Sequence, residues 1–77
     1  MENRNYNAKA IISGFRKAAG YEKSEDIAKV LGVTKPTYLK YEKKPWKMTL
    51  DTLDKLGELL GEEFIEFFWT HKLYKKD

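Results

Sequence analysis

Apolar residues recur along this chain at helical spacing, in five clusters separated by glycine, proline and polar stretches. Ile12, Phe15 and Ala19, with Ile11 and Ala18 beside them, mark one face of a helix predicted from about Asn7 to Ala19. Gly20 ends it, and Tyr21 to Lys23 form the connection. Ile27 and Leu31 lie four residues apart on a second helix, and Ala28 beside them is small enough to let another helix approach. Ser24 is placed to cap that helix, with Glu25 and Asp26 in its first turn, where negative charge meets the positive end of the helix dipole. Gly32 can take the left-handed conformation that closes it, and Val33 buries the turn.

A third helix is expected after Thr34 as its cap, with Tyr38 and Tyr41 facing inward. Pro36 falls in its first turn, where the missing N–H is not needed. Pro45 blocks its continuation, so it ends near Lys43 or Lys44, and Pro45 to Met48 make a loop. Thr49 caps a fourth helix carrying Leu50, Leu53, Leu56, Leu59 and Leu60, which Gly61 closes. A fifth follows from about Glu62, with Phe64, Ile65, Phe67, Phe68 and Trp69. From about Thr70 the chain is basic and expected to fray. No alternating strand pattern competes, so the expected fold is all-α: five short helices around one core.

The 77 residues allow one domain. The expected division is a flexible N-terminal tail over 1–6, a helical domain over 7–69 and a basic C-terminal tail over 70–77. A chain of this length buries only about 60% of its unfolded surface, so its margin of stability is small. It contains no cysteine, which excludes disulfides and thiolate metal sites. No apolar run approaches the ~18 residues of a membrane span, and the polar start Met1-Glu2-Asn3-Arg4-Asn5 does not read as a signal peptide. A cytoplasmic location is expected.

The net charge of +3 is modest, but it is unevenly spread. Residues 33–48 hold Lys35, Lys40, Lys43, Lys44 and Lys47 against Glu42 alone. Residues 49–69 hold Asp51, Asp54, Glu58, Glu62, Glu63 and Glu66 against Lys55 alone. A polyanion is attracted to the first segment and repelled by the second.

From Ser24 to Glu42 the chain reads as two short helices joined by a tight turn. The arrangement resembles the lambda-repressor-like, Cro-type family of helix-turn-helix regulators, over roughly residues 8–68. The likeness is strongest from Glu25 to Gly61, against a family pattern of the form xELAxxLGVSxxTIxxxExGxxxPSLxxLxxLAxxLG. Glu25 to Thr34 match its first half. Thr37, Tyr38, Tyr41 and Glu42 match the second helix of the motif, and Thr49-Leu50, Leu53, Leu56 and Leu59-Leu60-Gly61 match the helix after it without a gap. Four departures stand out. Lys44 replaces the usual glycine two residues after the glutamate, Pro45-Trp46 opens the following loop, the connection before Ser24 is one residue longer, and Pro36 and Leu39 stand where the family carries polar residues.

The resemblance implies a compact DNA-binding domain whose third helix, about 35–43, enters the major groove of double-stranded DNA. Carried over by position, Lys35, Pro36, Thr37 and Lys40 are the base-reading candidates. The lysines can donate to guanine O6 or N7, Thr37 offers a methyl and a hydroxyl, and Pro36 gives van der Waals contact only. Ser24 stands where the family contacts phosphate at a helix N-terminus. Lys43, Lys44 and Lys47 are placed to hold the phosphate backbone. Leu39 has three readings: contact with a thymine methyl, the anchor of a protein interface, or an exposed leucine without a role. Phe64, Phe67 and Phe68 are expected inside, leaving Ile65, Trp69 and Leu73 for a dimer seam. Trp46 is either a lid on the core or a contact residue.

No catalytic constellation, metal cluster or phosphate-cradling glycine loop is present in the sequence, and His71 is the sole histidine. No catalytic residue, metal or other cofactor is therefore expected. The leading expectation is a Cro-like or repressor-like regulator, homodimeric on a pseudo-palindromic operator. The alternative is an antirepressor, modulator or antitoxin that uses the helix-turn-helix surface to bind another regulator.

Overall fold

A computed structural model describes residues 8–75 of the chain. It contains five α-helices: α1 (Ala8–Ala18), α2 (Ser24–Leu31), α3 (Lys35–Lys43), α4 (Leu50–Leu60) and α5 (Glu62–Thr70), with a single 3-10 turn at Pro45–Lys47 before α4. The expected N-terminal tail and the first residue of the expected first helix, Asn7, lie outside the described residues. No helix among those described is long and apolar enough to cross a membrane.

The helix ends follow from local chemistry. Thr34 is extended, and its hydroxyl oxygen accepts from the Thr37 N–H at 3.3 Å. Thr49 does the same for Thr52 at 3.1 Å. These caps satisfy donors that the first turn of a helix leaves open. Gly32 adopts φ 80°, ψ 28°, and its N–H and that of Val33 close onto Lys29 and Ala28 carbonyls, a Schellman stop. At α2 the expectation is corrected. Ser24 is the first residue of the helix rather than its cap; Lys23 occupies the cap position and makes no side-chain cap bond.

The core draws on every helix. Ile12 of α1, Ile27, Ala28 and Leu31 of α2, and Tyr38 of α3 pack with Leu53, Leu56 and Leu60 of α4 and Phe64 and Phe68 of α5. Phe15 joins α1 to α5, meeting the Phe64 and Phe67 rings edge-on with centroids 5.6 and 6.0 Å away. Tyr41 and Phe67 are only half-buried, flanking this core rather than filling it. Ala18 and Ala19, expected on the inner stripe of the first helix, are exposed, because the chain turns away at Gly20.

Two features mark the C-terminal half, the first of them against expectation. Leu73, assigned to an exposed seam in a frayed end, is 1% exposed and part of the core. The Leu73 N–H bonds to the Phe68 carbonyl at 2.9 Å and the Lys72 N–H to that of Trp69, with Lys72 at φ 53°. This is the same stop that ends α2, built here without glycine, and it drives the following apolar residue back onto the helix. The second feature is the approach of α4 and α5 at Gly57. A Cβ built there would lie 2.5 Å from Ile65 Cδ1, so the Ile65 side chain packs into the space that the glycine leaves open.

Beneath the third helix lies a buried ion pair. Arg16 Nε donates to Glu42 Oε2 at 3.0 Å, with the two side chains 9% and 1% exposed. Arg16 Nη1 also donates to the Tyr21 carbonyl at 2.9 Å and to the Glu22 carbonyl at 2.6 Å. One guanidinium thus ties α1 to α3 and to the connection that leads into α2. Buried charge persists only where it is paired and hydrogen-bonded in this way. Tyr38, one turn before Glu42, is fully enclosed. Its hydroxyl feels both charges but meets neither with hydrogen-bond geometry. Burial above all, with the Glu42 carboxylate adding to it and Arg16 opposing, raises its pKa well above the ordinary phenol value.

Candidate functional site

The ion pair decides which way α3 faces. With 3.6 residues per turn, Tyr38 and Glu42 share one side of the helix, and both are buried. The opposite side carries Pro36, Lys40 and Lys43, spaced i, i+4 and i+7, and all three are exposed. Lys35, at the first position of the helix, is exposed as well. Four of the sequence candidates therefore fall on the open N-terminal and outer surface of one helix.

Thr37 is half-buried, and its hydroxyl oxygen accepts from the Thr34 hydroxyl at 3.0 Å. The capping pair holds it, so only its own O–H and methyl remain to offer an outside partner. Leu39, which all three readings take as exposed, is half-buried. It sits 100° around the helix from Lys40, at the margin of the outer face, where the neighbouring fold covers part of it.

The segment after α3 is anchored from within. Pro45 is buried, and Trp46 is half-buried with its indole N–H enclosed and unpartnered. That N–H is closed off from any outside acceptor, which favours the lid role for Trp46 over the contact role. The Lys44 N–H closes onto the Lys40 carbonyl at 2.7 Å, and the Lys47 N–H onto the Lys44 carbonyl at 2.9 Å. The backbone that carries Lys43, Lys44 and Lys47 is therefore fixed on the core while all three side chains stay exposed.

The buried pair also changes the charge of this surface. Glu42 is the only acid in residues 33–48, and it is spent on Arg16 inside the fold. The outside of the segment presents Lys35, Lys40, Lys43, Lys44 and Lys47 without a carboxylate of its own. Ser24 is less favourably set. It is half-buried at the start of α2, whose first turn lacks a side-chain cap, but the exposed Glu25 and Asp26 stand beside it. An anion at the free backbone N–H groups there has two carboxylates as neighbours.

Arg16 and Glu42 were missed as a pair by sequence reasoning. A signal exists: each stands four residues after a core residue, Ile12 and Tyr38, where a further apolar residue would continue the stripe. Of the residues expected at an interface, Ile65 is half-buried and packs against the core, and Trp69 is 47% exposed. Both belong to α5 rather than to the α3 surface.

Against known protein families, the chain matches the helix-turn-helix family over residues 12–67, from the buried Ile12 of α1 to Phe67 of α5. No curated protein and no solved structure matches it.

Proposed function

The chain belongs to the lambda-repressor-like helix-turn-helix family of DNA-binding regulators, and from that premise we propose that it is a sequence-specific transcriptional regulator of the Cro or repressor type. It acts in the cytoplasm, as a homodimer on a pseudo-palindromic operator. α3 enters the major groove of double-stranded DNA with its outer face toward the bases. Lys35 and Lys40 donate to guanine O6 or N7, Thr37 offers its methyl and remaining O–H, and Pro36 packs against a base edge. Lys43, Lys44 and Lys47 hold phosphates, and Ser24 supports one more at the start of α2. Such contacts fix register and let the helix discriminate among sequences. Regulation follows by occlusion of a promoter or by recruitment to it.

The observation that carries this reading is the two-sided character of α3. Its inner side is locked by Tyr38 and by Glu42 paired with Arg16, while its outer side is free and carries only positive charge. The test is selection from a random duplex DNA pool at moderate salt, repeated with the Lys35→Ala/Lys40→Ala variant. Enrichment of a palindromic motif that the variant loses supports the reading. Folded protein that enriches nothing overturns it.

A second reading draws on Pro36, which opens the outer row at the N-terminal end of α3 and has no side-chain hydrogen-bonding group. With Leu39 at its edge, the same surface suits an antirepressor, modulator or antitoxin that binds another regulator. A tight complex with a second protein that survives high salt, together with weak DNA binding, distinguishes it.

A further inference from the structure

α4 and α5 leave an open groove of about 620 Å³ along their joint outer side. Leu53, Gly57 and Ile65 form its apolar lining together with Leu50 and Trp69. Leu50 is 75% exposed and Trp69 47%, so two large apolar side chains stand open on the same groove. The rest of the lining is acidic: Asp51, Asp54, Glu58 and Glu62, all exposed, with no cation among the lining residues. No part of α3 contributes to it.

The charge identifies the occupant. DNA is repelled from four carboxylates. A second copy docked groove to groove would bring two acidic rims into one contact with no lining cation on either side, since a two-fold contact uses the same patch on both copies. Like charges brought together at an interface oppose association. We propose that this groove binds a basic amphipathic segment of a different protein. Its apolar stripe lies against Leu50, Ile65 and Trp69, and flanking lysines or arginines meet Asp51, Asp54, Glu58 and Glu62. Ile65 and Trp69, expected from the sequence in a dimer seam, thereby serve a heterologous partner. The groove remains open while α3 is on DNA, so the protein joins a DNA site to a second protein.

The experiment is a titration of the full chain, labelled with ¹⁵N, followed by its amide and indole signals. The probe is a synthetic helix of about four turns with a leucine stripe and lysine flanks. The control is the same peptide with glutamates for the lysines. The lysine peptide is expected to shift the Trp69 indole and the Gly57 and Ile65 amides saturably, and to leave Lys40 and Lys43 unmoved. The Asp54→Asn/Glu58→Gln variant is expected to bind it about tenfold more weakly, and the glutamate peptide not at all. The four acids are exposed, so an unchanged amide spectrum confirms that the variant folds. Absence of a saturable shift, equal binding by the variant, or Trp69 shifts that grow with protein concentration alone would each overturn the proposal, the last by showing that a second copy fills the groove.

Discussion

Arg16 and Glu42 each depend on the other because both are enclosed. Removing one leaves the other charged and buried, at a cost of about 3–5 kcal/mol, while removing both for apolar residues of similar volume costs far less. Arg16→Met is therefore expected to lower stability by about that amount in urea unfolding, and Arg16→Met/Glu42→Leu to recover much of the loss. Recovery will be incomplete, because the Tyr21 and Glu22 carbonyls lose their donor in both variants. Tyr38 gives a second test with a defined sign. Its pKa is raised in the folded state, so the unfolded chain releases the proton first. Its contribution to stability is complete below pH about 10 and falls as pH rises beyond that value. Tyrosine absorbance on alkaline titration should rise in two phases, the second coinciding with unfolding. Tyr38→Phe should abolish the second phase while costing little, since the hydroxyl has no hydrogen-bond partner to lose.

At the level of elements, the C-terminal turn is decisive. If the segment after Thr70 were loose, Leu73→Ala would change nothing measurable. Buried as it is, the substitution is expected to cost about 2–5 kcal/mol in thermal or denaturant unfolding. The sequence showed the helices and their stops wherever the side chain itself carries the signal: Thr34 and Thr49 as caps, Gly32 as a left-handed stop, Pro45 as a barrier. It concealed the stop at Lys72, because a lysine at φ 53° has no compositional mark and is held there by the burial of Leu73. Leu39 was misplaced for a related reason. Helical periodicity sorts residues into inner and outer sides, but residues at the margin take their exposure from neighbouring elements, which periodicity does not contain. The outer face of α3 was legible because Lys35, Pro36, Lys40 and Lys43 lie well clear of that margin.

Across the whole molecule, charge is segregated. The α3 surface and the turn after it are basic, and the α4–α5 side is acidic. For DNA this separation orients the encounter before any base is read. Lys43, Lys44 and Lys47, as phosphate contacts, predict a slope of log affinity against log salt of about −3 per protein chain on duplex DNA. The Lys43→Ala/Lys44→Ala/Lys47→Ala variant should flatten that slope across all sequences, whereas Lys40→Ala should weaken the preferred site more than random DNA. Equilibrium titrations at several salt concentrations check both, and a flat response in the unsubstituted protein contradicts the phosphate role.

The division of α3 into a locked side and a free side bears on how such a protein changes its target. Tyr38 and Glu42 set the helix's height and rotation from within, and neither takes part in the outer row of Pro36, Lys40 and Lys43. On the proposed reading, substitutions in that row alter what is recognised without disturbing the support beneath it. A base-reading row so supported can change its operator by single steps, each intermediate remaining folded. A change in the buried Arg16–Glu42 pair, by contrast, must come as a matched double replacement, so that support drifts slowly while the outer side of α3 diverges.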